Sequence, residues 1–508
     1  MKYGAIAAGD RPTLESALEI LKSGGNAFDA AVGAVFTSMT SEFALTSAGG
    51  GGSLLAFPNN SEPILFDFFV NALPPNEKSL DFFPVSVDFG STKQIFNIGK
   101  GSIAVPGNIA GLLHVQNRLG VLSLKAVLEP AISIAKTGII INKTQEFLIK
   151  ILEPILTFDS CGKSIFKPQG SLVRLGERII FPEFAEFLIR LSVEGADFFY
   201  KNEGADFLVS LANNGGLLTK KHLENYQVIE RKPLKSKLFG YTLYTNPAPS
   251  IGGTLIAFLL QIINKEFCHE DINHTALTHL MYIAKEAKKE IYTNPSNEHQ
   301  ITKILDAEIV SEYINHFKNN KTFSQNSVEK AKFGSTTHLS ILDKKGNAAS
   351  VTTTNGEGCG YFIPALGFMM NNMLGEEVLN PGGFHLWTKE QRLPTLISPT
   401  IVVGDSGPEL ILGSGGSNRI ASAISQVIIN TLLHKMDLYS AISSPRIHLE
   451  GNILHHEPGI ILNDKTLIKK SIEKNTWDKM NLFFGGVNAV SKHAAAGDPR
   501  RDGVGGIF

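Results

Sequence analysis

Cysteine is scarce in this chain of 508 residues, which has three thiols at Cys161, Cys268 and Cys359. An odd number of widely spaced cysteines is not the pattern of a disulfide-stapled domain or of a zinc site built on cysteine pairs. The sequence also lacks any apolar run of roughly 18 residues, the minimum for a transmembrane helix. A disulfide framework, a cysteine-based zinc site and a membrane partner are therefore not expected.

Net charge is nearly absent as well. The 47 Lys and Arg residues are balanced by 48 Asp and Glu residues, which leaves a formal charge of −1. Without a basic excess, electrostatic attraction to a phosphate backbone is weak, so no nucleic-acid partner is expected. Apolar residues make up 43% of the chain, enough to bury a sizeable core and to exclude wholesale disorder.

The N-terminal segment gives no targeting signal. It becomes charged at Asp10 and Arg11, before any apolar stretch long enough for the core of a signal peptide. We therefore expect a cytoplasmic protein.

Glycine, in contrast, is abundant, with 48 residues, and it is clustered. A helical pattern after Thr13 stops at Gly24-Gly25, and Asn26 is a candidate N-cap for the next helix, with Asp29 at the favourable third position. A glycine run at 49–52 precedes an apolar strand. The segment 101–107 has the pattern of a strand that ends in a turn.

The middle of the chain is predicted to be more helical, and its end richer in strands. Residues 317–332 are polar without aliphatic periodicity, which predicts an exposed, mobile loop. Two β-rich segments, 338–342 and 348–354, flank the turn signal 343–347 and predict a hairpin. The predicted helices cover 123–137 (with a kink or break at Pro130), 184–191, 254–263 and 274–292.

A threonine pair lies where the polar loop meets the hairpin. If the chain were cut before Thr336, that residue would carry a hydroxyl and a free α-amine, whose ordinary pKa is about 8. The amine could then accept the proton of its own Oγ, and the branched Cβ would restrict the direction of that oxygen. Threonine pairs at strand starts are usually plain strand formers, so these residues alone leave both interpretations open.

Further motifs favour the catalytic interpretation, because their order and spacing resemble the γ-glutamyltransferase (γ-glutamyltranspeptidase) family of N-terminal nucleophile hydrolases. The resemblance covers most of the chain. The motifs that carry it are 24–32 (GGNAFDAAV), 49–52 (GGGG), 104–107 (AVPG), 249–253 (PSIGG), 336–338 (TTH), 343–347 (DKKGN), 371–372 (NN), 398–400 (SPT), 413–417 (GSGGS) and 498–501 (DPRR).

The resemblance implies an α/β (α+β) fold, the four-layer αββα sandwich of N-terminal nucleophile hydrolases. It also implies a proenzyme that cuts itself between Ser335 and Thr336, by attack of the threonine Oγ, an N-to-O acyl shift and ester hydrolysis. The products would be a large segment, 1–335, and a small segment, 336–508, which remain interleaved as a heterodimer in one unit. The mature enzyme would act on a small-molecule amide.

Catalytic roles carry over to positions that match the family. Thr336 would be the nucleophile, Thr354 would support it, and the backbone amides of Gly415 and Gly416 would form the oxyanion hole. The proposed amide cleavage needs a nucleophile, a base and an oxyanion hole, and the sequence has no phosphate-binding loop. We therefore expect no cofactor and no metal. His338 could tune Thr336, or it could equally be a satisfied strand histidine.

Several substrate-binding positions depart from the family. Phe69 replaces the arginine that clamps the α-carboxylate, Met373 replaces a glutamine, and a Ser-Ser pair becomes Pro394-Thr395. Glu376 is the best match to the acid that binds the α-amine. Asn355 matches the family asparagine if two residues are deleted nearby, which would make 356–358 a shortened lid. Arg392 could supply a cation from elsewhere in the sequence.

Three functions remain open on this evidence. The first is a transferase or hydrolase of γ-glutamyl amides such as glutathione. The second keeps the fold and nucleophile but takes another small amide, as in the oxamate amidohydrolase branch or an acylase for less polar acyl groups, and Phe69 and Met373 motivate it. The third is an uncleaved, silent homologue that acts as a binding or structural protein, which the intact set of catalytic positions argues against.

Overall fold

Two antiparallel sheets, stacked face to face between two layers of helices, form the centre of the molecule. They belong to a computed structural model that describes residues 1–75, 79–88, 93–267, 272–292, 297–319, 334–462, 467 and 470–508. The predicted four-layer αββα sandwich is confirmed.

The first sheet has two neighbouring strands from the predicted hairpin at its centre. All neighbours in it run antiparallel. Its seven described strands are, in spatial order, Val504–Ile507, Gly4–Ala8, Thr337–Asp343, Ala348–Thr354, Gly51–Phe57, Ile64–Phe68 and Ile229–Arg231.

The second sheet contributes the other half of the sandwich. Its six described strands are Leu234–Leu238, Tyr241–Thr245, Thr400–Gly404, Gly407–Gly415, Gly486–Val490 and Ala495–Ala496. Small and branched apolar side chains fill the space between the sheets, among them Ala5, Leu342 and Ile411. Such side chains suit the roughly 10 Å spacing of packed sheets.

Helices cover the outer face of each sheet. Arg11–Lys22, Ala27–Ser41, Asn108–Leu119 and Leu124–Thr137 lie on the first sheet's side, and Ile251–Glu266, His274–Tyr292, Ala307–Lys318 and Ile420–Ile428 on the second's. The predicted capping box at Asn26 is present. Its Asp29 carboxylate also accepts hydrogen bonds from the backbone of Val121 and Leu122, so it ties two helical segments together.

The remaining elements lie outside the two sheets and the helices that cover them. The helices are Lys143–Ile151, Glu153–Leu156, Ser160–Phe166, Pro182–Glu194, Ala196–Tyr200, Glu203–Ala212, Lys220–Asn225, Glu298–Lys303 and Leu438–Ser443. The strands are Asn71–Ala72, Phe83–Asp88, Lys93–Ile98, Ile139–Ile140, Arg178–Ile179, Phe362–Ile363, Phe368–Met369, Gln391–Arg392, Ile447–Glu450, Ile453–His456 and Glu473–Thr476.

Three local predictions were wrong or only partly tested. Segment 101–107 is not a strand: a short 3-10 turn at Lys100–Ser102 is followed by one bridge from Val105 to Asn71, because Pro106 lacks the N–H that a ladder needs. The helix Leu124–Thr137 continues past Pro130, since its buried face packs on neighbouring helices. In the predicted loop 317–332, a helix runs to Lys318, and residues 320–332 lie outside the described residues.

The sequence predicts no transmembrane helix. Among the described residues, every helix is too short or too polar to cross a bilayer.

Candidate active site

The hairpin register places Thr336 opposite Thr354. Thr337 pairs with Thr353 across the two central strands, so the preceding and following residues meet at the same end of the sheet. The turn is held by Asp343, whose carboxylate accepts hydrogen bonds from the backbone N–H of Lys345 at 2.8 Å and of Asn347 at 3.0 Å. A short, well-ordered turn therefore fixes the two threonines against each other.

The hydroxyl of Thr354 points at the peptide bond before Thr336. Its Oγ1 donates to the carbonyl oxygen of Ser335 at 2.5 Å and accepts from the backbone N–H of Gly356 at 3.0 Å. A hydroxyl has a single proton, so that proton is directed at the Ser335 carbonyl. This bond polarises the carbonyl and makes its carbon more open to attack.

Gly415 and Gly416 end a strand of the second sheet directly beside Thr336. A Cβ atom at Gly415 would overlap the carbonyl oxygen of Thr336, so only glycine permits this approach. Gly416 has φ of +120°, a conformation that side chains disfavour. Ser417–Arg419 then begins the helical segment that continues through Ile420–Ile428.

Arg501 lies behind these glycines. Its guanidinium donates to the carbonyl oxygens of Thr336 and Leu482, both at 3.3 Å. Burial lowers the pKa of Arg501 to about 10, which leaves it charged at neutral pH. The turn that carries it is held by Asp498, which pairs with Arg446 at 2.7 Å and with Arg500 at 3.2 Å.

A buried acid, Glu42, contacts the residue that follows Thr336. Thr337 Oγ1 donates to Glu42 Oε2 at 2.6 Å, and Glu42 lies beside Asp10. Burial, followed by the charge of Asp10, raises the pKa of Glu42 to about 8. Glu42 was not predicted from the sequence, although a lone acid directly after the apolar helix Ala27–Ser41 was a usable signal.

A second missed acid, Glu357, contacts the residue before Thr336. The backbone N–H of Ser335 donates to Glu357 Oε1 at 3.4 Å. Segment 356–358, the predicted lid, is held by Asn372, whose Oδ1 accepts from the N–H groups of Glu357 at 2.9 Å and Gly358 at 3.3 Å. Burial and the nearby charge of Glu376 raise the pKa of Glu357 well above its usual value.

A cavity of about 350 Å³ opens beside Thr336. Its wall is mainly apolar, and its polar groups include one carboxylate. None of the described lining residues is Arg, Lys or His. They are Phe69, Gly334, Ser335, Thr336, Thr354, Met373, Glu376, Val378, Leu379, Thr395, Leu396, Ile397, Ser417 and Ile420.

Arg392 does not supply the missing cation to this cavity. Its guanidinium is buried against the carboxylate of Asp67 at 3.1 Å and donates to the Tyr226 hydroxyl at 2.7 Å. It also donates to the backbone carbonyl of Phe69, and so it braces the residue that lines the cavity.

Asn355 and His338 are engaged with other partners. Asn355 donates to the carbonyls of Met369 and Met370 and lines a separate apolar cavity with Glu357. His338 bonds to Thr352 and Ser340, and burial lowers its pKa to about 3, so it is a satisfied, neutral strand histidine. In the described part of the chain, no three His, Cys, Asp or Glu residues are grouped to hold a metal ion.

Comparison with known proteins agrees with this geometry. The family model for gamma-glutamyltranspeptidase matches residues 14–508. The capsule biosynthesis protein CapD proenzyme of Bacillus anthracis is 27% identical, over 99% of this chain and 90% of that protein. The glutathione hydrolase proenzyme of Escherichia coli K12 is 27% identical, over 88% of this chain and 81% of that protein.

The fold has close relatives among solved structures. Cephalosporin acylase from Bacillus halodurans matches with a TM-score of 0.83 at 20% identity, over 100% of this chain and 96% of that one. The family match spans nearly the whole sequence, including both central strands and the two glycines beside Thr336. The chain is therefore an enzyme of the gamma-glutamyltranspeptidase family.

Proposed function

We propose that the protein is a proenzyme that cuts its own Ser335–Thr336 bond and then uses Thr336 to hydrolyse or transfer the acyl group of small amides. The observation that supports this most directly is the hydrogen bond from Thr354 Oγ1 to the Ser335 carbonyl, next to the attacking residue. A hydroxyl aimed at this carbonyl stabilises the negative charge that forms on its oxygen during attack.

Self-cleavage would proceed in two steps. Thr336 Oγ adds to the Ser335 carbonyl carbon, and the carbon–nitrogen bond breaks as nitrogen takes a proton, leaving an ester and a free α-amine. Water then hydrolyses the ester, giving a Ser335 carboxylate and the restored Thr336 hydroxyl. The segments 1–335 and 336–508 would stay together as a heterodimer, because each sheet contains strands from both.

In turnover, the free α-amine of Thr336 would accept the proton of Oγ as this oxygen attacks a substrate amide. The N–H groups of Gly415 and Gly416 would hold the resulting oxyanion, and each such donor typically lowers the barrier by roughly 3–4 kcal/mol. The leaving amine departs, and water or another amine takes the acyl group from Thr336.

Family membership makes γ-glutamyl amides the first candidate donors. A glutathione hydrolase is among the relatives at 27% identity. In this assignment Glu376 would face the donor's amine, while Thr395 and Phe69 would line the acyl group, with Asn355 near the lid. A second candidate is a different small amide, as in an oxamate amidohydrolase-like enzyme, or an amide with a less polar acyl group, as in an acylase. The described lining of the cavity lacks a cation, which favours the less polar acyl group.

Intact mass and denaturing gel electrophoresis test the proposal. We expect two fragments, ending at Ser335 and starting at Thr336, and a single full-length chain for Thr336→Ala. The matched control Thr337→Ala removes the neighbouring hydroxyl and should still allow cleavage. Wild-type protein that stays in one piece after long incubation would support the silent homologue and overturn the proposal.

A further inference from the structure

The side chain of Thr337, the residue after Thr336, connects the first sheet to the helices that cover it. Its Oγ1 donates to Glu42 Oε2 at 2.6 Å, and both residues are 8% exposed. Glu42 ends the helix Ala27–Ser41, and its backbone N–H donates to the Ser38 carbonyl at 2.7 Å. The strand that follows Thr336 is therefore anchored to a helix end as well as to its neighbouring strands.

The contact between Thr337 and Glu42 is closely enclosed. A Cβ atom at Gly9 would lie 2.1 Å from Glu42 Oε2 and 2.8 Å from Thr337 Oγ1. On its other oxygen, Glu42 accepts from Thr13 Oγ1 at 3.4 Å. A carboxyl group keeps an acceptor oxygen whether or not it is protonated, so Glu42 can accept from Thr337 in both states. The Thr337 hydroxyl has little room to turn toward another partner.

Cleavage would change what holds Thr336. In the precursor, Thr354 binds the carbonyl of Ser335, and the peptide bond transmits this constraint to Thr336. Once that bond is cut, Thr336 is a chain terminus whose covalent connection to the fold runs through Thr337. Chain ends are poorly ordered unless they are tied down. The bond to Glu42 therefore matters more after cleavage, because it fixes the residue that carries the new terminus.

We propose that Glu42 is a positioning residue that acts through Thr337 to hold the mature Thr336 where its Oγ can attack. The inference rests on the proposed function, since it concerns the processed enzyme. Arg501 contributes from the turn Pro499–Arg501, where it donates to the Thr336 carbonyl at 3.3 Å. A displacement of about 1 Å at a reacting group can cost about a hundred-fold in rate. Loss of the anchor should therefore impair turnover more than self-cleavage.

Two substitutions remove the anchor from either side. Glu42→Leu removes the acceptor, and Thr337→Val removes the donor but keeps the branched shape. Gels and intact mass follow self-cleavage. The reactivity of mature Thr336 is measured as p-nitrophenolate released from p-nitrophenyl acetate, with Thr336→Ala protein as background. This small activated ester requires no particular acyl group, since Thr336 Oγ takes the acetyl group as p-nitrophenolate leaves.

We expect both variants to be cleaved completely. Their maximal rate of acylation should fall by about 10- to 100-fold, while the ester concentration at half-maximal rate changes by less than about two-fold, because the cavity is intact. Glu42→Gln keeps an acceptor oxygen for Thr337 and should stay within about three-fold of wild type. The double variant Glu42→Leu/Thr337→Val should be no slower than the slower single variant, since both substitutions remove the same bond.

Thr353→Val is the matched control for the loss of a buried threonine hydroxyl. Thr353 pairs with Thr337 across the hairpin, and its hydroxyl accepts from Thr46 at 2.9 Å. This variant should lose comparable stability, measured by thermal unfolding, and keep the wild-type rate of acylation. An equal loss of rate in Thr353→Val would overturn the inference, because a general loosening of the hairpin would then explain the result.

The other outcomes also decide the inference. Processed Glu42→Leu or Thr337→Val protein that is acylated at the wild-type rate would overturn it and leave the proposed function standing. Folded variants that fail to cleave, losses that multiply in the double variant, or a Glu42→Gln protein as slow as Glu42→Leu would overturn it too. If Glu42→Leu does not fold, Thr337→Val decides alone.

Failure of the proposed function itself gives a different result. Wild-type protein that never cuts itself would refute the proposed function and this inference together, and a gel reports that before any kinetics. The same holds for processed wild-type protein without Thr336-dependent release of p-nitrophenolate.

Discussion

Replacing Thr354 with valine tests the hydroxyl that contacts the predicted cleavage bond. Valine keeps the branched shape but removes the donor that lies 2.5 Å from the Ser335 carbonyl oxygen. Loss of one donor to a developing oxyanion typically costs roughly 3 kcal/mol of barrier, or about a hundred-fold in rate. We therefore expect Thr354→Val to self-cleave about a hundred times more slowly than wild type, measured as the disappearance of full-length chain by intact mass over time.

The same substitution also affects stability. The buried N–H of Gly356 loses its acceptor, which should lower the free energy of unfolding by about 1–3 kcal/mol. Slow cleavage could then reflect a loosened fold, so a control is needed. Thr353→Val removes the neighbouring hydroxyl, which accepts from Thr46 at 2.9 Å and does not contact the cleavage bond.

Thr353→Val and Thr354→Ser separate the loss of the Thr354 hydroxyl from a loss of stability. Thr353→Val should lose comparable stability, measured by thermal unfolding, and still cleave at the wild-type rate. Thr354→Ser, which retains the donor, should cleave within about ten-fold of wild type. Wild-type kinetics in a folded Thr354→Val protein would refute the role assigned to this hydroxyl.

Two further predictions concern the surroundings of Thr336. In the folded state the pKa of Glu42 is raised from 4.5 to about 8. Between these two pH values the folded protein keeps a proton on Glu42 that the unfolded chain has released. The free energy of unfolding should therefore fall as the pH rises from 4.5 to 8. Chemical denaturation from pH 4.5 to 8 should show a loss of at most about 5 kcal/mol that Glu42→Gln removes, and equal slopes in both proteins would contradict the assignment. Gly415→Ala should slow self-cleavage by about a hundred-fold or more, because the added methyl group displaces the Thr336 carbonyl. The control is Gly404→Ala on the adjacent strand. Its methyl group meets only the flexible Glu409 side chain, so this variant should cleave at the wild-type rate. Time courses on gels would measure the cleavage rates of the two glycine variants. Equal rates would contradict the predicted close approach of Gly415 to Thr336.

Much of the central sandwich could be predicted from local patterns. The turn signal 343–347 fixes the hairpin register, and that register alone brings Thr336 level with Thr354. The capping box at Asn26 and the helix stop at Gly24-Gly25 also depend on neighbouring residues, which is why they could be predicted. Segment 101–107 could not, because Pro106 and a single bridge to Asn71 override its apolar pattern.

The acids and the cation around Thr336 were harder to predict. Glu42 is 295 positions from Thr337, and Arg501 is 165 positions from Thr336. No short-range sequence pattern connects residues so far apart, and only the stacking of the sheets brings them together. Glu357 was within the predicted lid, but its reach toward Ser335 depends on Asn372, which holds the lid from another part of the chain.

Each sheet combines strands from both sides of the predicted cleavage bond, and this constrains how the enzyme can be made. Thr337–Asp343 pairs with Gly4–Ala8 on one side, and its hairpin partner Ala348–Thr354 pairs with Gly51–Phe57 on the other. Either segment synthesised alone would present long unpaired strand edges to solvent, a template for aggregation. We therefore expect residues 1–335 and 336–508 to fold as one continuous polypeptide, and separate expression of either piece should yield insoluble material where the intact chain yields a stable enzyme.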